Sequence, residues 1–159
     1  MVELGTRIDT SIPLKIVRDG EEQSVVLADL LDRPTVVSVY MKNNTSSCDK
    51  QTHSLAEHAG WFEEHGVQLI GLSKDTCGSH KRYAVKQGLS YILASDPDNL
   101  FSKATDSIVE KSMYGKTYLA PSRSAFYLDT DGTMLGVIEK VDPKNHAEQV
   151  MALVQPKEG

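Results

Sequence analysis

Thr35-Val36-Val37-Ser38-Val39-Tyr40-Met41-Lys42-Asn43-Asn44-Thr45-Ser46-Ser47-Cys48 runs from a β-branched apolar stretch through a polar loop to a thiol. Residues 35–40 predict a strand buried on both faces, as in the middle of an α/β sheet. Lys42 to Ser47, rich in Asn, Ser and Thr, reads as a loop leading into a helix N-cap. From Cys48 onward, Leu55, Ala59 and Phe62 fall at i, i+4 and i+7. That spacing predicts one amphipathic helix ending at His65, with Gly66 as its stop.

Reading outward, Val67 to Leu72 is a second buried strand. A helix capped by Ser79 and stopped at Gly88 follows. Tyr91 to Ala94 is a short strand, and Asp96-Pro97-Asp98 opens a short helix through Ala104. Upstream, Lys15-Ile16-Val17 and Ser24-Val25-Val26-Leu27 flank a polar segment containing Gly20, which predicts a β-hairpin. A helical turn over Ala28 to Leu31 ends at Arg33-Pro34. Downstream, Ser124 to Leu128 and Met134 to Ile138 are strands joined by Asp129-Thr130-Asp131-Gly132, and Asn145 to Val154 is a last helix. Strands alternating with helices predict an α/β fold: a central mixed β-sheet flanked by helices, with an N-terminal β-hairpin. Right-handed crossovers place the two Val-rich strands side by side, so the loops after them open on one edge of the sheet. Cys48 follows one of these strands and Cys77 follows the other.

The chain of 159 residues is 40% hydrophobic and 25% charged, with a net charge of −5. This is globular composition without repeats or linkers, and one domain over 1–159 is expected, its core at about 3–153. The acidic balance argues against a nucleic-acid partner. No apolar run reaches membrane-spanning length, so no membrane partner is expected, and the N-terminus does not read as a signal peptide. Two cysteines are too few for a secreted disulfide framework and point to a reducing, cytoplasmic compartment.

Cys48 is expected in the first turn of its helix. Unpaired amides and the positive end of the helix dipole meet there, and both favour the thiolate, the nucleophilic form of cysteine. The bland reading is a small apolar residue at a helix start. The five histidines do not form a metal set: His58 and His65 stand about 10.5 Å apart along a helix. They read as solvated surface residues, with His80 hydrogen-bonding at a helix start.

Thr45-x-x-Cys48 after a strand resembles the peroxidatic motif of peroxiredoxins, and Pro121-Ser122-Arg123-Ser124-Ala125-Phe126 places an arginine at the opening of a strand as that family does. Gly71-Leu72-Ser73-Lys74-Asp75, Ser79-His80, Ser95-Asp96-Pro97-Asp98, Met113-Tyr114-Gly115-Lys116 and Asn145-His146-Ala147-Glu148 follow in order. Together they resemble the bacterioferritin-comigratory-protein (PrxQ-type) subfamily over about residues 3 to 153. The resemblance implies a thioredoxin-like fold and reduction of hydrogen peroxide and organic hydroperoxides through a Cys48 sulfenic acid. Arg123 would stabilise the thiolate and the departing oxygen, Thr45 would hydrogen-bond the peroxide, and amides near Ser47 and Cys48 would hold its second oxygen. No metal or organic cofactor is needed, thioredoxin or a similar dithiol is the implied reductant, and a monomer is implied, with a weak dimer as the alternative.

Three positions depart from the family pattern. Met41 stands in place of the motif proline, Ser46-Ser47 in place of Pro-Gly, and Asp49 in place of threonine. Asp49 sets a like charge beside the thiolate. These departures motivate a second reading, a weakly catalytic redox sensor or interaction module on the same fold. The usual resolving positions hold His53 and Ala84. Cys77 is the remaining candidate resolving thiol, weighed against an unpaired loop thiol with an outside reductant acting on Cys48 directly.

Overall fold

The computed structural model describes residues 1–155; the last four residues of the expected domain, 156–159, lie outside the described residues. In chain order the elements are β1 (Pro13–Arg18), β2 (Glu21–Val26), α1 (Leu27–Leu30), β3 (Thr35–Val39), α2 (Ser46–Glu57), α3 (Ala59–Glu64), β4 (Gln68–Ser73), α4 (Cys77–Gln87), β5 (Ile92–Ser95), α5 (Leu100–Ala104), β6 (Ile108–Met113), β7 (Lys116–Pro121), β8 (Ser124–Leu128), β9 (Met134–Ile138) and α6 (His146–Val154), the last preceded by a 3₁₀ turn at Pro143–Asn145. Seven strands form a mixed sheet in the order β2-β1-β5-β4-β3-β8-β9. The central strands β3, β4 and β5 are parallel, as expected for the two Val-rich segments, and β1 and β8 flank them antiparallel. This is the mixed α/β arrangement that the strand and helix pattern predicts, and the thioredoxin-like fold that the resemblance implies.

The period-two alternation of strand side chains divides the core into two layers. Val37 and Val39 of β3 join Ile70, Leu72, Phe126 and Leu128 on one face, with Leu27, Leu30 and Phe101 packed above them. Val36 joins Leu69 and Ala125 on the other face, covered by Leu55, Phe62, Ala147 and Val150. Every residue of β3 is buried, which explains its almost continuous apolar run.

The single helix expected from Cys48 to His65 is broken at His58, which adopts φ −115° and ψ 12°. Its ring Nδ1 lies 3.0 Å from Ser54 O, the carbonyl a continuing helix would reserve for the His58 amide. That amide turns instead to Leu55 O. The cap of α4 is Thr76 rather than Ser79: the Thr76 hydroxyl accepts from the Ser79 amide at 3.2 Å. The β6–β7 ribbon was not expected as strands. Its faces are mostly exposed, so no hydrophobic alternation marks it. Its turn, Tyr114 (φ 53°) and Gly115 (φ 76°), has the paired left-handed geometry of a tight hairpin.

Candidate active site around Cys48

The register of the sheet brings Arg123 to Cys48. In the antiparallel β3–β8 pair, Val39 faces Ser124. The residue before Ser124 therefore reaches the end of β3, where the chain turns into the loop that opens α2. There Arg123 Nη2 donates to Cys48 Sγ at 3.3 Å. Cys48 is fully buried, in a cluster with Tyr40, Tyr83 and Leu93. Gly71 makes room for this cluster, since a Cβ there would stand 2.9 Å from Leu93 and 3.4 Å from Tyr40. The first bond of the α2 ladder runs from Asp49 N to Thr45 O. The amides of Ser46, Ser47 and Cys48 stand ahead of that ladder, as donors for an anionic or peroxidic oxygen. The Thr45 hydroxyl donates to Lys42 O at 2.9 Å, which leaves its lone pairs as acceptors.

The loop before α2 is clamped to the loop after β4. The Asn43 amide donates to Asp75 Oδ2 at 2.9 Å, and Asp75 also accepts from Ser73 Oγ at 2.7 Å. Tyr40 OH donates to Asn43 Oδ1 at 2.6 Å. Asn43 Nδ2 reaches Ser79 Oγ and His80 Nδ1, both at 3.1 Å. His80 Nε2 faces Ala94 O at 3.0 Å, so Nε2 carries the proton and Nδ1 accepts. His80 is thus a neutral, buried member of the clamp, and burial lowers its pKa.

A second hydrogen-bonded row lies beneath α2. Gln51 Nε2 donates to Ser38 Oγ at 2.8 Å and to Val39 O at 3.3 Å. Ser38 Oγ meets His146 Nε2 at 2.9 Å, and His146 Nδ1 faces Gln149 Oε1 at 3.3 Å. Since Gln149 Oε1 only accepts, Nδ1 carries the proton and Nε2 accepts from Ser38. Burial, opposed by Gln149 and reinforced by the charge of Arg123, pushes His146 down to about 4. His146 is buried, which corrects its expectation as a solvated surface residue, and His80, expected to hydrogen-bond at a helix start, is buried as well; desolvation of the two imidazoles is met here by full pairing of their ring nitrogens. Gln51, His146, Tyr40 and Asn43 were not read as part of the site. Gln51 lies one helical turn beyond Cys48, and that spacing was the available signal.

Asp49 does not stand free beside the thiol. Its Oδ1 accepts from Tyr83 OH at 2.6 Å, and burial together with this carboxylate raises the Tyr83 phenol far above its ordinary value. Met41 packs against the Cys48 cluster, and its Sδ accepts from Lys111 Nζ at 3.3 Å. His53 is on the surface, paired with Glu57 at 2.9 Å.

Cys77 has different company. It is the first residue of α4 and borders an open cleft of about 600 Å³ with Lys15, Glu22, Asp96 and Asp98 on its walls. Burial, and then the Glu22 carboxylate, push its thiol up, with Lys15 and Lys81 opposing. Tyr83 and Ala84 are the α4 residues packed in the Cys48 cluster. Cys77 lies six residues before Tyr83, about 9 Å along the helix and about 120° around it. Neither cysteine is in a disulfide.

The family model of AhpC/TSA matches residues 8–136. The chain is 33% identical over 120 residues to peroxiredoxin Bcp of Xanthomonas campestris pv. campestris, covering 76% of this chain and 75% of that one. It is 31% identical over 134 residues to peroxiredoxin Bcp of Escherichia coli, covering 84% and 85%. A structure of the bacterioferritin comigratory protein of Xanthomonas campestris, described with its alkyl peroxide reduction activity, superposes with a TM-score of 0.85 at 27% identity, covering 96% of this chain and 97% of that one.

Proposed function

The chain belongs to the AhpC/TSA family, and from that premise we propose that its thiol peroxidase chemistry runs through Cys48, with Arg123 and Thr45 as its partners. It is a peroxiredoxin-type enzyme: its substrate is a hydroperoxide and its electrons come from a dithiol. The Cys48 thiolate attacks one peroxide oxygen, the O–O bond breaks, and the sulfur becomes a sulfenic acid. The departing oxygen carries the electron pair away as alkoxide or hydroxide and is protonated to alcohol or water. Arg123 donates to the thiolate before the step and to the developing oxyanion during it. Thr45 and the free amides at the start of α2 orient the second oxygen.

The observation that carries this reading is the 3.3 Å contact of the Arg123 guanidinium, from the residue ahead of β8, with a fully buried sulfur on α2. Tyr83 supports it from another side: by donating to Asp49, it draws that carboxylate's charge into a hydrogen bond. The test is peroxide consumption by the reduced protein in stopped flow, with thioredoxin supplied for turnover. The parent chain turns over; Cys48→Ser does not. Equal consumption by Cys48→Ser overturns the reading.

The sulfenic acid is reduced by an outside dithiol, thioredoxin or its like, rather than by Cys77. Support comes from the raised Cys77 thiol and from its place against the β1–β2 hairpin, away from Tyr83 and Ala84. After one equivalent of peroxide, dimedone is expected to trap Cys48; a Cys48–Cys77 disulfide found by mass spectrometry reverses the assignment. The chain acts as one domain and as a monomer in the cytoplasm. No helix among the described residues is long and apolar enough to cross a membrane.

A further inference from the structure

Met41 occupies a place at which the mechanism uses no side chain, yet it brings a second sulfur to the Cys48 cluster. Its Sδ accepts from Lys111 Nζ at 3.3 Å, and both residues are only part-buried. They line a cavity of about 290 Å³ between the ends of β3 and β4 and the β6–β7 ribbon, together with Lys74, Asn99, Tyr118 and Pro121. The Asp96 carboxylate at the same cavity is already engaged by the amides of Leu100 and Phe101, at 2.8 and 2.9 Å. Among the described residues Lys111 makes no ion pair. An ammonium is therefore aimed at a thioether packed against the Cys48 cluster.

We propose that Met41 is a second peroxide-oxidisable sulfur of this site, converted to the sulfoxide with Lys111 as its assisting acid. This rests on the reading of Cys48 as the peroxide site. A thioether sulfur has two lone pairs; the Lys111 ammonium rests on one of them and, on its flexible stem, turns to the departing oxygen as the peroxide reacts. The other lone pair attacks a peroxide oxygen and the O–O bond breaks. Sulfur is oxidised by two electrons and the peroxide is reduced; the departing oxygen takes a proton from the Lys111 ammonium to leave as water or alcohol, and the hydroxysulfonium left on sulfur returns its proton to the Lys111 amine, which gives the neutral sulfoxide and restores the ammonium. The product sulfoxide oxygen is a far better acceptor than a thioether, so Lys111 holds it by a charge-assisted hydrogen bond. That bond ties the β6–β7 ribbon to the loop before α2. Methionine sulfoxide reductase restores the thioether.

The test uses the full chain as Cys48→Ser, so that the catalytic thiol does not consume the oxidant. Hydrogen peroxide is added and sulfoxide at each methionine is followed by peptide mass spectrometry. Met113, 58% exposed, is the internal reference for unassisted oxidation, and Met134, 1% exposed, reports that the fold is intact. Met41 is expected to oxidise at least about fivefold faster than Met113, and Lys111→Ala is expected to bring it to or below the Met113 rate, with Met134 unmodified in both proteins. A Met41 rate no higher than that of Met113, or one unchanged by Lys111→Ala, overturns the proposal. Peroxide consumption by the parent chain is measured alongside. Its loss with Met41 acceleration retained counts against the peroxidase reading alone, and the reverse result counts against the Met41 assignment alone.

Discussion

Cys48 and Cys77 hold matching places in the chain. Each is in the first turn of a helix that follows a central parallel strand, each is buried, and neither is in a disulfide. Their chemistry diverges through the side chain that a distant element delivers. The residue ahead of β8 brings a guanidinium to Cys48, whereas β2 sets the Glu22 carboxylate on the cleft that Cys77 borders. A helix start is worth about 0.3–1 kcal/mol to an anion near it. That contribution is common to both thiols, so it cannot by itself make one of them a nucleophile.

The widest separation is expected in peroxide consumption. Cys48→Ser should reduce the rate by at least about a thousandfold, since the covalent route through sulfur is gone, while Cys77→Ser should stay within about twofold. Comparable losses in the two variants would erase the distinction. Arg123→Ala should slow the peroxide step by about 10²–10³-fold, the usual cost of removing a preorganised donor from a developing oxyanion. Arg123→Lys should recover only part of that rate, because a point charge does not reproduce the fixed fork; full recovery would mean that charge alone suffices.

Acid should weaken the framework beneath Cys48. The unfolded chain protonates His146 near pH 6.5, whereas the folded chain holds it neutral down to about 4. Below 6.5 the unfolded state therefore binds more protons, and stability falls as the pH drops toward 4, by up to about 3 kcal/mol from this residue. Urea midpoints measured from pH 7 to 4 should show the decline, with a flatter profile in His146→Gln. An equal slope in the variant would remove His146 from the account. The smallest effect concerns Cys77: Glu22→Gln should raise its iodoacetamide labelling at pH 8 by about two- to fivefold, by removing a repelling charge, and leave Cys48 labelling unchanged. An unaltered Cys77 rate would mean that burial alone controls that thiol.

Much of the scaffold was legible in the residues. The β-branched runs at residues 35–40 and 67–72, the Gly20 and Gly132 turns and the Gly88 helix stop reappear as elements within a residue or two, because period, turn chemistry and caps act locally. The break at His58 was hidden, since a histidine ring competing for Ser54 O leaves the apolar spacing intact. The β6–β7 ribbon was hidden because its strands bury little. The two inward histidines were hidden because a polar side chain is placed by its partners, and those of His146 come from Ser38 and Gln149, on two separate elements.

The order of residues by itself settled that a thiol follows a buried strand at a helix start and that an arginine precedes a later strand, since each depends only on neighbours in the chain. Folding alone decided which cation meets which sulfur. The antiparallel pairing of Val39 with Ser124 spans a separation in the chain over which local propensity has no influence, and a hydrogen bond forms only where the sheet register places donor and acceptor within reach. By the same rule the sheet placed Glu22, and not a second guanidinium, beside Cys77.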